Sequence, residues 1–341
     1  SQISINSFAL GLSMEIPHLA LYNQTKQVDV PQTSTLLLEM LTSFNPKDPR
    51  TLIRSELPGF AFFDGELIIP GQGGNYTDIP IESAPPLEVV LAEREAVANG
   101  LNGTQTESEQ ESPEAAPSLT TGGRKVVFIY HTHNRESWLP HVPSAENPNE
   151  AFHAEVNITK VGVRLGQELE KRGIGNIVDT TDIAQRLAEE KLPFSLSYAK
   201  SREVVEEVMA REPDILFMFD LHRDALPRER TTIEIDGKTY ARTFFIVGGR
   251  NSHYEKNLAF AERLHELLEE AYPGLSRGVY LKEGGDGEYN QSLSEYNLLI
   301  EIGGVENNLE ESYRTAEALA DVIADLYWDA LKVDAPMESN K

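Results

Sequence analysis

Three apolar stretches of the sequence each lead directly into side chains that could bind a metal ion or move a proton. His131 and His133 follow the first stretch, His222 follows the second, and Glu301 follows the third. Short runs that are apolar throughout are typical of strands buried on both faces of a sheet. Because ligands of open α/β sheets bind at the carboxyl ends of the strands, these side chains are expected to meet in one cleft.

The residue types in this set predict metal-assisted hydrolysis of an amide. Zinc binds imidazole nitrogens and carboxylate oxygens, and a catalytic zinc site keeps one position open for water. A carboxylate beside that water can take its proton and pass it to a leaving amine. Glu301 is the hardest residue to explain as structural, because a charge within an apolar strand is costly unless it is paired. His131 has an alternative role, in which it orients a ligand or binds a backbone group.

The composition excludes several other mechanisms and partners. The chain has 341 residues and no cysteine, which excludes thiol catalysis, cysteine zinc sites and disulfides. Its formal charge of −25 argues against a general nucleic-acid binder, which needs a basic face. No apolar run approaches the roughly 18 residues that cross a membrane. The first residue is Ser1, which is compatible with removal of an upstream signal or anchor.

Composition and periodicity divide the chain into four regions. Residues 1–98 are expected to be a small, partly helical N-terminal region. Residues 99–123 are rich in Gly, Ser, Thr, Glu and Pro and hold few large apolar side chains, which predicts a linker. Residues 124–333 are expected to form the catalytic domain, and residues 334–341 a tail.

Strands and helices alternate within the predicted catalytic domain. This alternation favours an α/β fold with a doubly wound, mostly parallel sheet and helices on both faces. The predicted helices are 157–171, 197–211, 254–271 and 309–332. The predicted strands are 126–130, 177–178, 215–221, 231–235, 239–247, 278–282 and 297–302.

Five motifs stand in this order along the chain: VVFIYHTHNRESW at 126–138, HAEVNITKVG at 153–162, FDLHRD at 219–224, YNQ at 289–291 and LIEIGGVENN at 299–308. Together they resemble the stage II sporulation protein P family, cell-wall hydrolases of endospore-forming bacteria. The resemblance covers about residues 124–332, and SELPG at 55–59 is a weaker match in the N-terminal part.

More distantly, the chain is similar to the zinc N-acetylmuramoyl-L-alanine amidases, which implies a zinc amidase-like fold. In this resemblance His133 and His222 match two zinc-binding histidines, and Glu301 matches the catalytic glutamate. The resemblance implies that Zn²⁺ polarises the scissile carbonyl and lowers the pKa of its bound water. Glu301 would take the proton of that water and return it to the departing amine.

The third zinc ligand departs from the amidase pattern. Counting back from Asn157, the position of the usual glutamate is occupied by His153. His153 is therefore the preferred third ligand and Glu136 the second choice, with Glu155 as a further alternative.

The two resemblances together imply a peptidoglycan hydrolase that acts during engulfment in sporulation. It would cut the amide between N-acetylmuramic acid and the stem peptide, with endopeptidase cleavage of peptide cross-links as a second activity. Arg135, Arg223 or Asn290 would hold the developing oxyanion or the substrate carboxylates. One alternative is a metallopeptidase that acts on stem peptides alone, and another is a scaffold of the engulfment machinery with a vestigial site.

The family resemblance also implies partners and a location. The expected partners are peptidoglycan, stage II sporulation protein D, which is a lytic transglycosylase, and stage II sporulation protein M, which is a membrane protein. An N-terminal membrane anchor outside this sequence would place the protein outside the cytoplasm, at the sporulation septum and the engulfing membrane.

Overall fold

The computed structural model describes residues 65–72, 79–82, 84–85, 117, 119–284 and 286–334. The predicted tail beyond residue 334, most of the predicted linker and most of the N-terminal region lie outside these residues.

The described residues alternate between strands and helices, as the sequence predicts. The strands are β1 (Gly65–Pro70), β2 (Val127–Tyr130), β3 (Asn176–Val178), β4 (Phe217–Asp224), β5 (Thr232–Ile235), β6 (Lys238–Ala241), β7 (Thr243–Gly248), β8 (Ser276–Lys282) and β9 (Asn297–Gly304). The α-helices are α1 (Thr159–Lys171), α2 (Ile183–Glu190), α3 (Ser197–Arg211), α4 (Arg228–Thr231), α5 (Tyr254–Ala271) and α6 (Leu309–Asp334). Short 3-10 turns lie at Leu139–His141, Pro148–Glu150, Phe194–Leu196 and Gln291–Leu293.

Seven strands form one mixed sheet in the order β1–β8–β7–β9–β4–β2–β3. The four strands β3, β2, β4 and β9 run parallel to one another, and β7 is parallel to β8. The β7–β8 pair is antiparallel to β9, and β1 is antiparallel to β8. Strands β5 and β6 form a separate hairpin. The α/β class with a mostly parallel sheet is confirmed, whereas the zinc amidase-like fold stays a prediction.

The side chains of β4 alternate between the two faces of the sheet, as the pleat of a strand requires. Phe219 and Leu221 belong to the main core, which they share with apolar residues of α1, α5 and α6. Asp220 and His222 therefore point to the opposite face. On β9, Glu301 is the register partner of His222 and so faces the same way. One face thus carries the apolar core and the other carries the ionisable groups.

Helices cover both faces of the sheet, because α3 packs on the side opposite to the main core. Val205 and Val208 of α3 form a smaller core with Phe128 and Tyr130 of β2 and with Met218 of β4. The helix that carries these valines is the one predicted at 197–211. Its amino-terminal end lies beside the ionisable face, where Tyr198 contacts the rings of His133 and His222.

The structure differs from the sequence-based prediction in three elements. Helix α2 was not predicted; it is short, and the Asp182 side chain caps it by accepting from the Gln185 amide. The single strand predicted at 239–247 is two strands, because the chain turns at Arg242, whose amide donates to the Thr231 carbonyl. Strand β1 comes from the region before the predicted linker and forms one edge of the sheet.

Candidate metal centre

Three buried side chains come together at the carboxyl ends of β2 and β4. His133, Glu136 and His222 each offer one ligand atom, and these atoms lie within 4.8 Å of one another. Nδ1 of His133 is 3.4 Å from Oε1 of Glu136, and Nδ1 of His222 is 3.6 Å from Oε2 of the same carboxylate. Two imidazoles therefore face the two oxygens of one carboxylate.

The turn that follows β2 places His133 and Glu136 on the same side of the chain. The amide of Glu136 donates to the carbonyl of His133 over 3.1 Å, which closes the turn. The carboxylate is also fixed by β4, because the amide of Arg223 donates to Oε2 of Glu136 over 2.8 Å. An isolated β-bridge pairs Glu136 with Phe152 and holds the turn in place.

His222 is oriented by a buried carboxylate on its own strand. Oδ1 of Asp220 lies 3.1 Å from Nε2 of His222, so the other ring nitrogen, Nδ1, faces Glu136. Asp220 is itself held by the backbone amide and the hydroxyl of Thr132, at 2.8 and 2.6 Å. A carboxylate that holds the second nitrogen of a ligand histidine is a common arrangement around protein-bound zinc.

The donor atoms of this cluster fit a zinc ion. Nδ1 of His133 and both ring nitrogens of His222 are buried and have no hydrogen-bond partner in the part of the chain that the structure describes, although Nε2 of His222 lies 3.1 Å from Oδ1 of Asp220. Buried polar atoms are normally satisfied, and unsatisfied nitrogens that face one carboxylate are suited to coordinate a cation. Two nitrogens and one carboxylate oxygen form a three-ligand set of the kind that catalytic zinc sites use. The cluster is therefore a possible metal site.

The charges of the cluster favour a cation between its members. Burial opposes ionisation of Glu136, but His133 and His222 outweigh it and hold the pKa of Glu136 below its usual value. Burial would likewise lower the pKa of His222, yet Asp220 and Glu136 outweigh it and raise that pKa well above its usual value. The carboxylates thus favour positive charge at this position, which a bound metal ion would also supply.

Glu301 lies beside this cluster on the neighbouring strand. The residue is only 2% exposed, and its Oε2 has no hydrogen-bond partner within the described residues. Burial raises the pKa of Glu301 well above its usual value, and the negative charge of Asp224 raises it further. A carboxyl group with a raised pKa binds a proton more readily than an ordinary carboxylate, which favours a role as general acid and base.

His153 does not join the cluster, although the sequence made it the preferred third ligand. Its Nδ1 accepts hydrogen bonds from the amides of Glu155 and Val156, each over 3.0 Å, and the ring stabilises the turn before α1. Glu155 is exposed and is also outside the cluster of described residues. The structure groups Glu136 with the two histidines because the bridge to Phe152 folds its turn toward β4. This grouping favours Glu136, and the identity of the third ligand stays a prediction.

The three residues predicted to bind substrate each have a partner within the fold. Arg135 forms an ion pair with Asp182 at 2.7 Å, and the Arg223 side chain donates to the carbonyl of Ala151 over 3.1 Å. The side-chain amide of Asn290 donates to the hydroxyl of Ser201 over 2.9 Å. These contacts do not test whether the three side chains bind substrate, which stays a prediction.

His131 points away from the cluster and binds a backbone group, which was the alternative considered for it. Its Nδ1 lies 2.9 Å from the carbonyl oxygen of Asp179. The ring packs directly on α1, where a Cβ at Gly162 would lie 2.3 Å from Nε2. Burial lowers the pKa of His131 to about 4, so the ring is neutral at pH 7.

Two aromatic residues beside the cluster were not predicted from the sequence. Phe194 stacks on the His133 ring with a centroid distance of 4.8 Å. Tyr198 lies 5.4 Å from the same ring and 6.2 Å from the His222 ring. The only sequence signal for them is a pair of aromatic residues just before and at the start of a helix, which does not by itself indicate a site.

These features define an α/β protein with a mostly parallel sheet and a buried His/Glu cluster at its strand ends that could hold a metal ion. The family model for Stage II sporulation protein P (SpoIIP) matches residues 47–324. The chain is also 44% identical over 345 residues to the Stage II sporulation protein P of Bacillus subtilis (strain 168), covering 97% of this chain and 86% of that protein. The chain therefore belongs to the stage II sporulation protein P family, and this membership supports a role in sporulation. Among the described residues, no helix combines the length and apolarity needed to cross a membrane.

Proposed function

We propose that this protein is a zinc-dependent peptidoglycan hydrolase that acts during engulfment in sporulation. It cuts the amide between N-acetylmuramic acid and the stem peptide, and it also cleaves peptide cross-links. The observation that carries this proposal is the cluster of His133, Glu136 and His222 with the unsatisfied carboxyl of Glu301 beside it. Membership of a sporulation family supports the biological setting.

Zinc would be held by His133, Glu136 and His222, whose atoms form the donor set described above. When bound, the ion supplies a Lewis acid that polarises a carbonyl group and makes a coordinated water more acidic. Asp220 keeps His222 in the orientation that presents Nδ1 to the site. The chain thus contributes both the ligands and the group that orients one of them.

Glu301 supplies the acid–base chemistry in this proposal. Because it is the register partner of His222, its side chain rises from the same face of the sheet as the ligands. Glu301 takes a proton from the attacking water, and it then gives that proton to the departing nitrogen. Its raised pKa suits this double role, since a strongly acidic carboxylate would hold the proton too weakly to return it.

The proposal includes a location and partners. An N-terminal anchor would hold the protein at the outer face of the membrane, at the sporulation septum. Its substrate would be peptidoglycan, and its protein partners would be stage II sporulation proteins D and M. A formal charge of −25 disfavours direct attraction to anionic wall polymers, so protein partners are the more plausible route to the wall.

The test is mass spectrometry of products from purified peptidoglycan, using chelated and zinc-restored protein. Zinc-dependent release of stem peptides from the glycan is the expected result. Cleaved cross-links with stems still attached would indicate a metallopeptidase that acts on stem peptides alone. Bound zinc without products would indicate that an activating partner or a different substrate is needed, and the absence of both products and zinc would leave the scaffold alternative.

Matched variants identify the third ligand. Glu136→Gln should lose most of the bound zinc, because it removes the carboxylate that faces both histidines. His153→Ala should keep a full complement of zinc, since its Nδ1 is engaged by backbone amides. The opposite pattern would restore His153 as the ligand.

A further inference from the structure

The hydroxyl group of Tyr198 is buried beside the candidate metal centre without a hydrogen-bond partner among the described residues. Tyr198 lies in the first turn of α3 and is 7% exposed. Its ring is stacked near that of His222, with 17° between the planes, and meets the His133 ring edge-on. The tyrosine therefore contacts both histidines of the candidate centre.

Other buried tyrosines in this region have satisfied hydroxyls. The Tyr289 hydroxyl donates to the carbonyl of Gly284 over 3.1 Å, and the Tyr130 hydroxyl donates to the Asn297 side chain over 3.3 Å. Tyr289 and Tyr198 are in ring contact, at 5.2 Å between centroids, so the two share one environment. Burying a hydroxyl without a partner is destabilising, which makes the difference between these neighbours informative.

Two buried neighbours of His222, Tyr198 and Glu301, each carry a polar atom without a hydrogen-bond partner among the described residues. Both residues lie near His222, Tyr198 through ring contact and Glu301 through strand register. A donor and an acid–base group thus flank the same histidine, and a ligand with a carbonyl oxygen and an attacking water would satisfy both.

We propose that Tyr198 is a further catalytic residue, whose hydroxyl donates a hydrogen bond to the scissile carbonyl oxygen as that oxygen gains negative charge. This role rests on the proposed hydrolysis. The water oxygen bonds to the carbonyl carbon, the C=O electron pair moves to the oxygen, and Glu301 receives the water proton. The electron pair then returns, the C–N bond breaks, and Glu301 protonates the nitrogen. Tyr198 keeps its own proton throughout.

A purely structural role for Tyr198 would need only its ring. The ring packs on the two histidines, and phenylalanine would fill the same space. The proposal concerns the hydroxyl, so Tyr198→Phe separates the two roles. Tyr289→Phe is the matched control, because it deletes the hydroxyl of a neighbouring buried tyrosine that donates to the carbonyl of Gly284.

Tyr198→Phe should lower kcat about 100-fold, the effect of removing one oxyanion donor, with KM and zinc content close to wild type. Its Tm should be unchanged or higher, since no hydrogen bond is lost. Tyr289→Phe should show the reverse, with a lower Tm and a kcat within about threefold of wild type.

Calorimetric titration with a muramoyl-peptide phosphinate, in which phosphinate replaces the scissile amide, measures binding without turnover. Tyr198→Phe should bind this probe at least about tenfold more weakly than wild type.

Unchanged kcat and unchanged phosphinate affinity in Tyr198→Phe would overturn the proposal. A Tm loss as large as that of Tyr289→Phe would also overturn it, because the hydroxyl would then have a structural partner. Wild-type protein that binds zinc but does not cut the muramoyl amide would refute the proposed function itself. In that case, weaker phosphinate binding by Tyr198→Phe than by wild type, with an unchanged Tm, would still support a hydroxyl that faces the ligand. Equal phosphinate binding by the two proteins would contradict it.

Discussion

Glu301 and Glu311 are two buried carboxyl groups on either side of the turn that follows β9, and their surroundings are opposite. Glu311 is 1% exposed and accepts hydrogen bonds from Arg228 at 2.8 Å, Asn307 at 2.9 Å and the Asn308 amide at 3.1 Å. Glu301 is 2% exposed, and its Oε2 has no such partner within the described residues. Equal burial therefore conceals a large difference in hydrogen bonding.

The pKa values of the two groups move in opposite directions. Burial disfavours the charge of Glu311, but hydrogen bonds from Arg228 and Asn307 outweigh it and lower the pKa to about 2. At Glu301, burial raises the pKa well above the usual value, and Asp224 adds to the shift. Asp224 forms an ion pair with Arg277 at 2.6 Å.

The comparison separates a carboxylate that stabilises the fold from one that is available for chemistry. Glu311 ties the start of α6 to Arg228 of α4 and, through Asn307, to the turn after β9. Oε2 of Glu301 forms no comparable hydrogen bond within the described residues, so the charge of Glu301 contributes little to the stability of the fold. An unsatisfied acid next to a candidate metal site is what a proton-transfer step requires.

The largest expected effect is on hydrolysis by Glu301→Gln. The rate should fall about 10²–10⁴-fold, because glutamine cannot take the water proton. The free energy of unfolding at pH 7 should be unchanged or higher, since a buried charge is replaced by a neutral group of the same shape. Product analysis and urea unfolding measure the two effects. Undiminished hydrolysis would show that Glu301 is not the general base.

Asp220→Asn should weaken zinc binding about 10–100-fold, because asparagine does not hold the His222 ring as a carboxylate does. Titration against a chelator of known affinity gives the zinc dissociation constant. Glu311→Gln serves as a control for removal of a buried carboxylate away from the cluster, and its zinc affinity should match wild type. Equal affinity in Asp220→Asn and wild type would remove Asp220 from the metal site.

Glu311→Gln should show the reverse pattern of Glu301→Gln. It breaks a buried, charged hydrogen-bond network, so the free energy of unfolding should fall by about 1–3 kcal/mol. Hydrolysis per folded molecule should be preserved, because Glu311 has no contact with the candidate centre among the described residues. Urea unfolding measures the loss of stability, and the hydrolysis rate is then expressed per folded molecule. A loss of activity without a loss of stability would erase the contrast between the two carboxylates.

The smallest expected effect is the pH dependence of stability. The pKa of Glu311 is lowered on folding, so its contribution is fully present above the unfolded value of about 4.3 and is lost as the pH falls toward about 2. The pKa of Glu301 is raised, so its contribution is present below the unfolded value and is lost as the pH rises through the folded pKa. The free energy of unfolding should therefore depend less on pH than in wild type, in the acid range for Glu311→Gln and at higher pH for Glu301→Gln. Identical pH profiles for both variants would contradict the opposite shifts.

The sequence by itself was sufficient to predict the elements that carry the chemistry. The buried strands before His133 and His222 and the strand around Glu301 were predicted because a continuous apolar run is a local property of the chain. The α/β class followed from the alternation of such runs with helical periodicity. The motifs of the stage II sporulation protein P family lie on the same strand ends, so family membership was also predicted.

Only the tertiary structure decided which side chains meet. Glu136 rather than His153 faces the two histidines because a bridge to Phe152 and the amide of Arg223 hold its turn against β4. The unsatisfied hydroxyl of Tyr198 and the satisfied carboxylate of Glu311 are likewise invisible in the sequence. Hydrogen-bond partners come from segments far apart along the chain, and local periodicity carries no information about which of them become neighbours.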